Sequence, residues 1–89
     1  MTTFIVGCNL RKSGRNYADL YEALKGYPMW WHHLDSLWIV VTNKTAIQVR
    51  DHLRQYIDVN DRLLVMRCER EAAWTGFEEN GSDWLMENL

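Results

Sequence analysis

At 89 residues the chain has room for one domain, and a domain of this size buries only about 60% of the surface its unfolded form exposes. Hydrophobic residues make up 47% of it and charged residues 25%, and it carries five Trp, a composition that excludes a disordered polar chain. The formal net charge of −2 excludes indiscriminate nucleic-acid binding by the chain as a whole.

That charge is unevenly spread. Residues 1–68 carry a net +3, whereas residues 69–89 carry −5, from Glu69, Glu71, Glu78, Glu79, Asp83 and Glu87 against Arg70 alone. A mildly basic body suits phosphate, and an acidic tail suits a basic partner. Cys8 and Cys68 are too few for a disulfide scaffold and lack metal-ligand spacing, so both read as buried free thiols. No apolar run approaches the roughly 18 residues of a membrane span, and the N-terminus lacks the basic segment of a signal peptide. No membrane partner and a cytoplasmic location are therefore expected.

In chain order, Thr3 to Cys8 is a short apolar run suited to a strand. Asn9 to Gly14 comes next as a basic loop, and Asn16 offers a helix N-cap with Asp19 favouring the N-terminus. Tyr17, Leu20, Tyr21 and Leu24 fall on one helix face; Lys25-Gly26 ends the helix and Pro28 prevents its resumption. Met29 to Leu34 and Leu37 to Thr42 read as a hairpin turning at Asp35-Ser36, the second strand central because it is continuously apolar. Asn43 to Thr45 caps a second helix with Ala46, Val49, Leu53 and Ile57 on its buried face, His52 exposed, and a fourth strand over Arg62 to Cys68 beyond it. Ala72 to Phe77 reads as a short fifth strand, and Ser82 as the cap of a terminal helix.

The fold class is α+β: a ferredoxin-like β-α-β-β-α-β arrangement with an antiparallel sheet and a short C-terminal strand and helix extension. Residues 1–71 form the domain, and 72–89 an acidic aromatic extension that packs on it or on a dimer partner. Two helices cover one sheet face only, so Trp30 and Trp38 are expected to present an apolar surface to a second copy.

Four segments carry a resemblance: Phe4 to Gly14, Trp30 to Trp38, Ile57 to Val65 and Ala72 to Phe77. In them the chain resembles the small SinR-like proteins of the superfamily that includes CRISPR-associated protein 2 and the VapD-like ribonucleases. The resemblance implies a ferredoxin-like homodimer with facing sheets, whose C-terminal segment often adds a strand to the partner's sheet. It also implies a metal-dependent nuclease with an Asp at the end of the first strand of each protomer. Paired carboxylates there would hold a Mg²⁺ that activates water against a phosphodiester.

At that position this chain has Asn9. An amide carries no charge for Mg²⁺ and cannot act as a base, so the catalytic position is degenerate. Arg11, Lys12 and Arg15 beside it are the candidate phosphate contacts, against the alternative of a solvated loop. His32 and His33, adjacent on a strand, point to opposite faces and read as structural rather than as one metal or acid–base centre. Trp30, Trp38, Trp74 and Phe77 read as packing or interface residues more readily than as base-stacking platforms.

The sequence thus points to a dimeric, nucleic-acid-associated protein with nuclease-like architecture, its partner RNA or DNA. No cofactor is expected, with Mg²⁺ needed only if endoribonuclease or other phosphodiesterase activity survives. The competing reading is a non-enzymatic, phage-encoded adaptor or inhibitor that binds a host defence complex through its C-terminal tail.

Overall fold

The computed structural model describes residues 1–10 and 17–89. Seven elements succeed one another: β1 (Thr2–Asn9), α1 (Ala18–Lys25), β2 (Met29–Leu34), β3 (Leu37–Thr42), α2 (Ala46–Arg54), β4 (Arg62–Arg67) and α3 (Glu79–Asn88). The strands form one open sheet in the order β2-β3-β1-β4, with every neighbouring pair antiparallel. The chain is a small α+β protein of four strands and three helices among the described residues. No helix among them is long and apolar enough to cross a membrane.

Local chemistry accounts for the boundaries. Leu34 pairs with Leu37 across the two-residue turn Asp35-Ser36, and the hairpin register slips between Trp31 and Leu34. Thr45 opens α2 with a capping box: its hydroxyl accepts from the Gln48 N–H at 3.2 Å, and the Gln48 side chain accepts from the Thr45 N–H at 2.8 Å. The Asn16 cap expected for α1 lies outside the described residues. Tyr17 precedes the first turn instead, its hydroxyl donating to both carboxylate oxygens of Asp61 at 2.8 and 3.0 Å. Gly26 ends α1, its N–H donating to the carbonyls of Glu22 and Ala23. β4 ends at Arg67, one residue short of the expected strand, although the Cys68 N–H still donates to the Thr3 carbonyl.

Strand alternation divides the side chains between two cores. Phe4, Val6, Trp38 and Val40 face the helix layer and pack with Leu20 and Leu24 of α1 and Val49 and Leu53 of α2. Trp31 and Ile39 face the other way and pack with Leu85 of α3, joined by Trp74, Phe77, Trp84 and Leu89. The terminal segment therefore lies across the β2–β3 half of the second sheet face of its own chain.

That segment departs from expectation in two ways. Residues 72–77 form no fifth strand, because Gly76 adopts φ +91°, a left-handed conformation that breaks an extended run. The turn brings Phe77 edge-on to Trp31, ring centres 4.9 Å apart. The helix then begins at Glu79, with Ser82 inside it, and the Ser82 hydroxyl accepts from the Trp74 indole N–H at 2.9 Å. The buried Trp31 indole N–H donates to the Gly81 carbonyl at 3.0 Å. Gly81 lets the helix approach His33 closely, since a Cβ there would stand 3.2 Å from the His33 ring and push it aside by a few tenths of an ångström.

The two cores predict different responses to truncation. Leu53→Ala, in the helix-side core, should lower global stability by about 2–5 kcal/mol in urea denaturation. Leu85→Ala should chiefly release α3, accelerating hydrogen exchange at residues 79–88 while the amides shared by β1 and β3 stay protected. Equal acceleration in both regions would show that the terminal segment and the sheet unfold as one unit.

Candidate functional site

Asn9 closes β1 and is exposed, directly opposite Arg62, the first residue of β4. Both belong to the sheet face turned away from α1 and α2, continuous with Gly7 and Leu64, the next pair on that face. A shallow cavity of about 490 Å³ beside Asn9 is lined by Cys8, Leu10, Asp35 and Ser36. The hairpin turn is fixed against β1 by the Cys8 N–H, which donates to the Ser36 carbonyl at 2.9 Å. A second depression of about 390 Å³ joins Asn9 and Arg62 to Leu37 and Leu64.

Sequence reasoning assigned Asp35 and Ser36 to a turn and did not connect them with Asn9, 26 positions away at the nearer residue. The connection follows from β3 lying beside β1, which swings the hairpin to the Asn9 end of the sheet. The site thus combines a neutral amide, one carboxylate, a hydroxyl and a guanidinium. Asn9 and Ser36 can donate and accept hydrogen bonds, and Arg62 can grip phosphate or carboxylate in two-pronged fashion. Among the described residues no three His, Cys, Asp or Glu side chains come together as a metal-holding group.

The chain leaves this end of the sheet at Leu10 and returns at Tyr17, which Asp61 anchors just before Arg62. Arg11, Lys12 and Arg15, the expected phosphate contacts, lie between these points and outside the described residues. Asp61 also accepts from the Asp58 N–H at 2.8 Å, so its carboxylate already serves the turn that launches β4. Burial, reinforced by the negative charge of Asp61, pushes the Cys8 thiol up to about 11. Burial likewise raises Cys68.

The remaining sequence candidates separate in space. His32 stacks on Trp38, ring centres 3.8 Å apart and nearly parallel, whereas His33 lies against Trp31 at 5.0 Å on the opposite face. They belong to two different centres. Arg50 and Arg54 both bond Asp51 on α2, on the helix layer and away from Arg62. Trp38 is 2% exposed and sits in the helix-side core, with Trp30 tilted against it at 5.5 Å. The expectation that these two tryptophans supply the uncovered face is therefore corrected by strand parity: that face receives Trp31. Trp74 and Phe77 pack on it from the chain's own terminal segment.

What stays uncovered on that face lies along β4. Leu64 and Met66 are 58% and 52% exposed, paired with Gly7 and Ile5 of β1. Sequence reasoning missed them because a strand of alternating burial at a sheet edge reads the same whichever face is covered. The chain matches no protein-family model and no solved structure.

The Cys8 thiol gives a pH prediction. Its folded value lies above the ordinary 9.0, so the neutral form is favoured by folding. The associated stability is complete below about pH 9 and is lost as pH rises through about 11. At pH 9 an ordinary thiol is half ionised and Cys8 only about one part in a hundred, so native Cys8 should alkylate tens of times more slowly than in urea. Equal rates in the two states, followed by peptide mass spectrometry, would contradict the burial argument.

Proposed function

We propose that this protein is a ferredoxin-like, nucleic-acid-associated homodimer of the CRISPR-associated protein 2 type, with a nuclease-like site that is degenerate at Asn9. The strand order supports the ferredoxin-like reading, since β4-β1-β3-β2 with antiparallel neighbours is the order a split β-α-β unit adopts when its fourth strand inserts beside the first.

The observation that carries the function is the position of Asn9 and Arg62 on the same sheet face as uncovered Leu64 and Met66. Burying Leu64 and Met66 against a second copy brings two Asn9–Arg62 pairs toward one axis. Each pair adjoins the point where the chain enters its Arg11, Lys12 and Arg15 segment. Such a surface offers guanidinium and amide donors to phosphate oxygens but no paired carboxylates for a divalent metal. It therefore binds more readily than it cleaves.

A second reading, the protein-binding adaptor, draws on the terminal segment. Its aromatic residues turn inward onto the sheet, while Glu69, Glu71, Glu78, Glu79, Asp83 and Glu87 all remain exposed. A dense acidic surface of this kind favours a basic protein partner.

The test is binding and cleavage of short labelled RNA and DNA with Mg²⁺ or Mn²⁺ at low and physiological salt. On the main reading, affinity falls roughly tenfold or more as salt is raised, in proportion to the phosphates neutralised, and Arg62→Ala weakens it at every sequence. Asn9→Asp should introduce or raise metal-dependent cleavage, and Leu64→Glu with Met66→Glu should give a monomer by light scattering. Absence of binding at both salts would retire the reading and leave the acidic surface as the site to pursue.

A further inference from the structure

The end of the sheet remote from Asn9 carries a second cavity. There the α1–β2 connection at Tyr27 and Pro28 meets the β3–α2 connection at Lys44, with α2 presenting His52, and the open hollow they border is about 710 Å³. Tyr27 is only 6% exposed, and its hydroxyl lies 2.8 Å from His52 Nδ1. Lys44 extends its ammonium over the Tyr27 ring, 5.5 Å from the ring centre. No carboxylate among the described residues forms an ion pair with Lys44. A cation, an imidazole and a buried phenol thus line one apolar-walled space.

The protonation states suit an anion subsite. Burial, and then the positive charge of Lys44, lower His52 below its ordinary value of 6.5, so the ring is neutral near pH 7. Burial pushes the Tyr27 phenol up to about 12, so it keeps its proton. With its proton kept, the phenol can donate to Nδ1, and the tautomer that accepts it carries its hydrogen on Nε2, a donor for a ligand. Asp19 and Glu22 of α1 also line the hollow and disfavour a second negative group on the ligand.

We propose that this cavity binds a small organic acid, its carboxylate or phosphate held by Lys44 and His52 and its apolar body lying against Tyr27 and Pro28. The anion supplies a counter-charge for Lys44 and stabilises protonated His52. Binding is therefore linked to proton uptake and strengthens as pH falls. The groups facing His52 are Tyr27 from the α1–β2 connection, Lys44 from the β3–α2 connection and Tyr56 from just beyond its own helix, and Asp19 and Glu22 line the same hollow. Of these, His52 is the group whose ordinary value lies between pH 6 and 8.

The test is a titration of the isotopically labelled full chain, followed by nuclear magnetic resonance, with benzoate, phenyl phosphate, benzylammonium and terephthalate as probes. Saturable shifts at Tyr27, Lys44 and His52 are expected with benzoate or phenyl phosphate, and the stronger of the two identifies the head group. Affinity should be about threefold or more higher near pH 6 than near pH 8. Lys44→Met, at an exposed position that leaves the core intact, should weaken it about tenfold. Terephthalate should bind more weakly than benzoate, because its second carboxylate meets Asp19 and Glu22. The proposal is overturned if neither anion saturates below about 10 mM, if benzylammonium binds as well as benzoate, or if Lys44→Met leaves affinity unchanged.

Discussion

β3 is apolar on both of its faces, and an apolar strand in the interior of a sheet must be covered twice. Trp38 and Val40 point to one side, Ile39 and Val41 to the other, and all four are nearly inaccessible to solvent. The chain supplies two helices for the first side. Among the described residues the second is covered by those beyond β4, which reach across β2 and β3 and leave Leu64 and Met66 of β4 bare. The fold, the exposed apolar strip and the location of the site near Asn9 all descend from this partial second cover. The tie from the Thr3 hydroxyl to the Asn88 carbonyl, 3.1 Å long, marks where the cover stops along β1.

Much of this was legible in the residues. Both layer helices, the two-residue hairpin turn and the central place of Leu37 to Thr42 follow from period, turn chemistry and continuity of apolar character. The misassignment of Trp30 and Trp38 has a clear cause. Trp30 and Trp31 are adjacent, so a change of one position in strand phase exchanges them between faces, and no local signal sets that phase. Trp38 fixes it in retrospect, because its alternation partners Val40 and Thr42 lead into the turn before α2. The absent fifth strand shows a different weakness. Ala72 to Phe77 has strand-like composition, but Gly76 turns the chain and the indole N–H groups of Trp31 and Trp74 find partners in α3 rather than in a sheet edge.

His52 was harder still. Its place on α2 suggested an exposed residue, and nothing near it in sequence announced a buried Tyr. Tyr27 reaches it from the loop after α1, a pairing set by how the two helices lie on the sheet. The same is true of Asp35 beside Asn9. Chemistry-bearing residues brought together by strand order leave no mark on sequence spacing, whereas residues brought together by helical period do.

The two ends of the sheet are chemically unlike. At the Asn9 end the groups are exposed, the Asp35 carboxylate borders the same cavity as the Asn9 amide, and Arg62 can meet a large ligand lying along the surface. At the Lys44 end an exposed ammonium and a half-buried imidazole border an open hollow, and the buried Tyr27 hydroxyl lies within hydrogen-bond distance of the imidazole. An open, donor-rich edge suits a polymer whose phosphates repeat along a groove, because each contact is weak and their number determines affinity. A hollow with one lysine suits a single small anion, whose head group the Lys44 ammonium can meet while Tyr27 and Pro28 take its body. Since β1 and β3 run the full distance between them as the paired interior strands of the sheet, occupation of one end leaves the other end's geometry fixed unless the sheet itself shifts. The two proposed sites are therefore expected to act independently, and measurable coupling between them would require movement of the terminal cover, which touches β2 at Trp31 and β1 at Thr3.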